Sequence, residues 1–121
     1  MELLPAPYGK VFATDLKSGK IIWSKDVGIN SNQTLGSIIN GGVASNKGDI
    51  LIVTGTPDQY VYLLSQKTGE ILWKYKMESA GSAPPIFFEV NGKQFFSIIS
   101  TGGLFTEYKK KGSTLYTFAI N

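Results

Sequence analysis

Val61-Tyr62-Leu63-Leu64-Ser65-Gln66-Lys67-Thr68-Gly69-Glu70-Ile71-Leu72-Trp73 has a counterpart fifty residues earlier, Val11-Phe12-Ala13-Thr14-Asp15-Leu16-Lys17-Ser18-Gly19-Lys20-Ile21-Ile22-Trp23. Val, Lys, Gly, Ile and Trp fall in register, and Phe/Tyr, Ser/Thr and Ile/Leu match in kind. The chain has two tryptophans, and both occupy the same slot of this repeat. Each copy reads strand, tight turn, strand. A fixed period of this length built from such units is the mark of a repeat array, with a β-propeller blade as the natural candidate.

Composition limits the chemistry. The chain of 121 residues contains no Cys and no His. That removes disulfides, thiolate metal sites and every Ser-His or Cys-His pair, together with the commonest general base and metal ligand. The formal charge is +3, and Lys109-Lys110-Lys111 is the one basic run. No aromatic residues interleave with it in the manner that stacks bases, so it reads as a solvated loop and no nucleic-acid partner is expected. No apolar run approaches the roughly 20 residues that span a bilayer. Met1-Glu2-Leu3-Leu4-Pro5 lacks the basic and apolar regions of a signal peptide, so the chain is expected to be either cytoplasmic or an internal piece of something longer.

Outward from the repeat, strands and turns alternate with no helical period, so the fold class is all-β. Residues 1–8 are a lead-in. Strands are expected over Lys10–Leu16 and Lys20–Lys25, then a long polar loop over Asp26–Ser37. Ile38–Ser45 reads as a strand interrupted at Gly41-Gly42, where a bulge or a close backbone approach is expected. Ile50-Leu51-Ile52-Val53 is apolar enough for burial on both faces. After the second repeat copy come a loop at Glu78–Ala83 and a strand at Pro85–Val90. Asn91-Gly92 is the strongest hairpin signal, because a type I′ turn needs positive φ at both positions. Lys93–Ser100, a loop over Thr101–Gly112 and a strand over Ser113–Ile120 complete the chain.

Labelled A to D within four-stranded antiparallel meanders, these strands give one complete blade flanked by two partial ones. Residues 1–25 are a lead-in with strands C and D, 26–77 a complete blade with its long entering loop, and 78–121 strands A, B and C. Partial blades leave unpaired backbone and an uncovered apolar face. The expected partners are therefore further blades of a larger propeller, or copies of the chain itself. Strand parity places loops 26–37, 55–59, 78–84 and 101–112 at one end and the tight glycine turns at the other. Long loops on a rigid scaffold carry function, so the first end is the working one.

The repeat resembles the tryptophan-docking motif of the pyrroloquinoline-quinone (PQQ) propellers, Ala-x-Asp-x-x-Thr-Gly-Lys-x-x-Trp. Ala13, Asp15, Gly19, Lys20 and Trp23 match in the first copy, and Thr68, Gly69 and Trp73 in the second, with Ser65 where Asp is expected. Both tryptophans read as packing between blades. Leu35-Gly36, Gly41-Gly42-Val43, Gly55-Thr56, Asp58, Pro84, Asn91-Gly92-Lys93-Gln94-Phe95, Gly102-Gly103 and Lys111-Gly112 fall in the order seen near the C-terminal end of quinoprotein alcohol and glucose dehydrogenases. That resemblance implies oxidation of a small-molecule alcohol or sugar hydroxyl by PQQ with Ca²⁺, in the periplasm or at the outer face of the inner membrane. It also implies that the catalytic aspartate and calcium ligands lie outside this segment, so the segment has no catalytic or metal residues and is inactive alone. Leu35 and Gly36 are the candidate cofactor contacts, with Ser37 standing where the family prefers a second glycine. A non-catalytic propeller of the same repeats, used as a protein-interaction scaffold like the outer-membrane assembly lipoprotein, is the alternative. Of the acidic residues, Asp58 and Asp15 read as turn residues serving the backbone, and the others show no metal-binding spacing.

Overall fold

The computed structural model describes residues 9–29, 36–103 and 110–121; Leu35, Lys109 and the lead-in lie outside them. Nine strands are present: β1 (Lys10–Thr14), β2 (Ile21–Asp26), β3 (Gly42–Ser45), β4 (Ile50–Thr54), β5 (Tyr60–Ser65), β6 (Ile71–Lys76), β7 (Ile86–Val90), β8 (Lys93–Ser100) and β9 (Thr114–Ile120). They form three antiparallel meanders of two, four and three strands, β1-β2, β3-β4-β5-β6 and β7-β8-β9. The fold is all-β: a complete four-stranded blade stands between two smaller sheets.

Alternation of side chains on each strand sorts the core into two layers. On β5, Tyr60, Tyr62 and Leu64 turn back toward the first sheet, joining Val53 and Ile71 of their own sheet in a cluster with Val11, Trp23 and Val27. Val61 and Leu63 turn forward to Ile52, Met77, Phe96 and Ile98, with Phe87, Tyr116 and Phe118 packed around them. The middle of the chain is thus buried on both faces. The continuous apolar run Ile50-Leu51-Ile52-Val53 is explained the same way, since Ile52 joins the forward layer and Val53 the backward one.

Several strand ends differ from the sequence reading: the first strand stops at Thr14 and not Leu16, the second begins at Ile21 and not Lys20, and the last begins at Thr114 and not Ser113. Three further differences have a visible cause. The third strand begins at Gly42, not Ile38. Asn40 N–H donates to Gly55 O at 3.0 Å and Gly41 N–H to Thr54 O at 3.1 Å, and Gly42 then turns at φ +81° before the ladder starts. Asp26 belongs to β2 and not to the loop, because it pairs with Lys10 across the sheet and its carboxylate meets the ammonium at 2.8 Å. Pro85, with no N–H to give a ladder, stays outside β7. Asn91 (φ +50°) and Gly92 (φ +77°) both adopt the positive φ that their hairpin requires.

The two tryptophans occupy equivalent positions. Trp23 pairs with Ala13 and Trp73 with Leu63, each beside a register shift at the next residue of the partner strand. Both rings face the following sheet. The Trp23 indole N–H donates to Gln66 O at 2.8 Å. Its ring covers Gly69 so closely that a Cβ there would stand 2.5 Å from Cε3. Trp73 stacks on Tyr75 at 5.9 Å and meets Phe118 edge-on at 5.3 Å.

The first turn is closed by Asp15, which accepts from Ser18 N–H (3.1 Å) and Ser18 Oγ (2.6 Å). Those bonds to Ser18 hold its carboxyl below the usual range. In the second copy Ser65 replaces that Asp, and Asp49, in the turn just ahead of β4, supplies the carboxylate. Ser65 Oγ donates to it at 2.7 Å and Lys67 N–H at 3.0 Å. The hydroxyl of Ser65 is the main reason the Asp49 carboxyl is also held low.

Gly19 and Gly69 have nearly equal φ (+71° and +75°), but a Cβ on Gly19 meets nothing within 4 Å. Gly19→Ala is expected to cost only the left-handed backbone penalty, about 1–2 kcal/mol. Gly69→Ala adds an overpacking penalty of about 1–3 kcal/mol as the indole is displaced. Urea midpoints, read with tryptophan emission, check this: a red shift is expected for Gly69→Ala alone, and equal midpoints would show that the ring contact contributes nothing.

Candidate functional site

Loops 26–37, 55–59, 78–84 and 101–112 gather at one end, and their described residues are hydrogen-bonded to one another. The first loop is closed at its root by Gly36 N–H to Gly28 O (2.9 Å) and Ser37 N–H to Val27 O (3.1 Å). Gly28 (φ +82°) has no room for a Cβ, because Ser37 Oγ and the Thr56 side chain fill that space.

Asp58 ties this root to the central blade. Its Oδ2 accepts Ile29 N–H at 3.0 Å and the Tyr62 hydroxyl; its Oδ1 accepts Thr56 Oγ1 at 2.5 Å and Tyr60 N–H at 3.3 Å. Four donors converge on one carboxylate, one N–H from its own turn, one N–H from the first loop and two hydroxyls. Burial of Tyr62, followed by its bond to Asp58, pushes the phenol far above the ordinary tyrosine range. A carboxylate so engaged holds loops together and is not placed as a general base.

The third and fourth loops are joined in the same manner. Gln59 Nε2 donates to Glu78 O at 2.5 Å. Ser79 and Ser100, both fully buried, share a hydroxyl–hydroxyl bond of 2.8 Å, and Ser79 N–H and O also bond Ser100 Oγ at 3.0 and 2.7 Å. Gly81 and Gly102 form a parallel bridge. Glu78 Oε1 accepts Ser113 N–H at 3.2 Å. Both hydroxyls are committed to each other, and Ser100 Oγ also to the Ser79 backbone, so these serines act as fastenings. The sequence reading missed this link, since two serines separated by 21 positions carry no motif.

Gly36 of the two candidate cofactor contacts is buried, at φ +85°, with its N–H committed to Gly28; Leu35 lies outside the described residues. Ala13, Asp15, Gly19, Trp23, Gly69 and Trp73 are distributed over the two C-to-D hairpins and do not converge on this end. Among the described residues no group of three or more His, Cys, Asp or Glu side chains is arranged to hold a metal ion. Two buried hydroxyl oxygens here, Thr54 Oγ1 and Ser82 Oγ, have no hydrogen-bond partner. Thr54 is the fully buried residue of the two. It is pressed between Gly41 and the Gly81 carbonyl, in space that a single Cβ on Gly41 would overfill. The described residues therefore fit neither Ca²⁺ nor a tricyclic quinone by themselves.

Comparison with known proteins settles the lineage of this end-to-end array. The family model for the PQQ glucose/ethanol/alcohol dehydrogenase β-propeller domain matches residues 1–96. The chain belongs to this PQQ propeller family. It is 30% identical over 124 residues to the quinoprotein glucose dehydrogenase of Escherichia coli K12, covering 93% of the chain and 16% of that relative. It is 35% identical over 96 residues to the quinoprotein ethanol dehydrogenase of Pseudomonas putida, covering 78% of the chain and 14% of the relative. Among solved structures, the quinohemoprotein alcohol dehydrogenase from Comamonas testosteroni superposes with a TM-score of 0.70 at 24% identity, over 91% of the chain and 16% of that protein. The chain thus spans about a sixth of the length of these PQQ-family relatives. No helix among the described residues is long and apolar enough to cross a membrane.

Two outcomes are expected at Asp58. Asp58→Asn keeps one acceptor and turns an amide N–H toward Ile29 N–H or its neighbours, at a cost of about 1–3 kcal/mol, with faster amide exchange at Ile29 by hydrogen-exchange mass spectrometry. Unchanged exchange would show that the carboxylate does not hold the root. The raised Tyr62 pKa gives a second test. Above about pH 10 the phenol ionises in the unfolded chain but not in the folded one, so stability is present below that pH and falls as pH rises. Tyr62→Phe is expected to flatten that alkaline decline in urea midpoints measured from pH 8 to 11.

Proposed function

We propose that this chain is a propeller segment of a PQQ-dependent dehydrogenase that oxidises an alcohol or sugar hydroxyl in the periplasm or at the outer face of the inner membrane. The observation that carries this reading is the family match over residues 1–96, together with relatives named as glucose and ethanol dehydrogenases. Residues 1–25, 26–77 and 78–121 serve as a partial, a complete and a partial blade of that propeller. When bound in the whole protein, PQQ supplies the two-electron oxidant and Ca²⁺ the Lewis acid that polarises it. Among the described residues no His, Cys, Asp or Glu group is arranged to hold a metal, and Asp58 is committed to four donors, so we assign them no step of the oxidation.

The role of the segment is to hold geometry. Asp58 fixes the root of the loop carrying Leu35 and Gly36, the residues we assign to the cofactor side of the ring. Ser79, Ser100 and the Gly81–Gly102 bridge keep the next two loops at the same height. Trp23, seated on Gly69, and the aromatic layer around Trp73 keep the blades from shearing. Positioning of this kind matters because small displacements of a bound reactant cost large factors in rate.

The full-length gene product, supplied with PQQ and Ca²⁺, is expected to reduce an artificial electron-accepting dye with glucose, ethanol or a related alcohol. The 121-residue chain under the same conditions is expected to give none. Absence of dye reduction by the full-length product across that substrate panel would replace this reading with a non-catalytic scaffold of PQQ repeats.

A further inference from the structure

Two asparagines of the chain stand directly before a glycine, Asn40 and Asn91. A glycine in that place leaves the next backbone nitrogen unhindered, so it can attack the carboxamide carbon. Both asparagines are exposed, so exposure does not separate them. The attacking nitrogens do. Gly41 N–H is committed to Thr54 O at 3.1 Å, and Asn40 N–H to Gly55 O at 3.0 Å. Gly41 is buried, and a Cβ on it would stand 2.1 Å from both the Gly81 carbonyl oxygen and Thr54 Oγ1. The Asn40–Gly41 peptide is therefore caged and has no room to swing into a ring. Asn91 and Gly92 instead form the exposed two-residue turn between β7 and β8, closed by the pairing of Val90 with Lys93. Among the described backbone bonds outside the strand ladders, Gly92 N–H has no acceptor. A Cβ on Gly92 would meet nothing within 4 Å, so its peptide is free to turn.

We propose that Asn91 is a site of spontaneous conversion to isoaspartate and aspartate, and that the fold protects Asn40 from the same reaction. The Gly92 nitrogen gives its proton to a solvent base and bonds to Asn91 Cγ. The Cγ–Nδ2 bond breaks, and that nitrogen leaves as ammonia after taking a proton from water. Water then opens the five-membered imide. Opening at the side-chain carbonyl restores the main chain and gives aspartate. Opening at the Asn91 main-chain carbonyl leaves the chain running through Cγ and gives isoaspartate. One water enters, one ammonia departs, and nothing is oxidised. Isoaspartate adds a methylene to a turn of two residues, which loosens the Val90–Lys93 closure. Gln94, the next residue, accepts Asn46 Nδ2 at 3.0 Å, so the change reaches the contact between the third sheet and the central blade. The proposal stands whether or not the dehydrogenase reading does.

The test holds the full-length gene product in mildly alkaline buffer, folded or in guanidinium chloride. Samples are digested at intervals for mass spectrometry, with fragmentation that tells isoaspartate from aspartate. In the folded protein Asn91 is expected to convert to both products, and Asn40 at least about tenfold more slowly, because its reaction waits on local opening. In denaturant the two are expected to convert at similar rates. Gly92→Ala crowds the attacking nitrogen and is expected to slow the reaction at position 91 in denaturant as well. Asn91 remaining an amide in the folded protein overturns the proposal. So does folded Asn40 converting as fast as Asn91, or a difference of the same size persisting in denaturant. Aspartate formed without isoaspartate also overturns it, since direct hydrolysis needs no attack by Gly92.

Discussion

Burial of one strand on both of its faces governs this structure. β5 has a tyrosine-leucine face turned to the first sheet and a valine-leucine face turned to the third, so neither neighbour is optional once β5 exists. Side chains alternate along a strand with a period of two, and a slip of one residue would exchange the two faces completely. Exchange would drive the Tyr62 hydroxyl into the aromatic layer and withdraw it from Asp58, leaving a buried donor unpaired at a cost of about 1–3 kcal/mol. Register, loop anchoring and the order of the sheets are therefore fixed together. The tyrosine is the residue that couples them, because its ring belongs to the core and its oxygen to the loop end.

The same alternation explains why the two repeat copies diverge in their details and not in their plan. Trp23 rests on a glycine turn with its N–H bonded to a carbonyl, while Trp73 stands among rings of its own and the following sheet. Both fill the gap between their own sheet and the following one. The substitution of Ser65 for aspartate follows the same logic. The turn needs a carboxylate, and Asp49 in the adjacent β3–β4 turn provides one through the serine hydroxyl. A motif position can thus change residue type when a neighbouring turn carries the missing group.

Periodicity made most of the fold legible. Strands with strict alternation and turns with Asn-Gly, Lys-Ser-Gly or Lys-Thr-Gly lie where local preference puts them, because packing and turn chemistry agree there. The third strand was read too long, since Ile38, Ile39 and Asn40 look extended while the bonds of Asn40 and Gly41 to the neighbouring Gly55 and Thr54 are a non-local matter. The loop end was less legible. Asp58 was read as a turn residue, and it does serve its own turn through Tyr60 N–H. Its reach to Ile29 spans 29 positions and leaves no trace in local sequence. The Ser79–Ser100 link is invisible for the same reason: each serine is ordinary, and only the approach of two loops makes the pair.

What the chain lacks is as decisive for chemistry as what it holds. Without histidine or cysteine, this chain can contribute acid, base or metal ligands at the loop end only through carboxylates, hydroxyls, lysines or backbone groups. The best-placed carboxylate among the described residues is spent on four donors, and the best-placed hydroxyls bond each other. Such saturation is what a scaffold requires, since free polar groups in a packed end would be costly to bury. In a PQQ-family propeller this division of labour has a physical rationale. A reacting centre needs groups left unsatisfied until substrate arrives, whereas the blades that define its walls hold their shape only if every buried donor and acceptor near them is already engaged. Two buried hydroxyls at this end, those of Thr54 and Ser82, are exceptions. Thr54 sits beside the Gly41 and Gly81 backbone in space that a single Cβ would overfill, so its exception marks tight packing and not an opening toward a ligand.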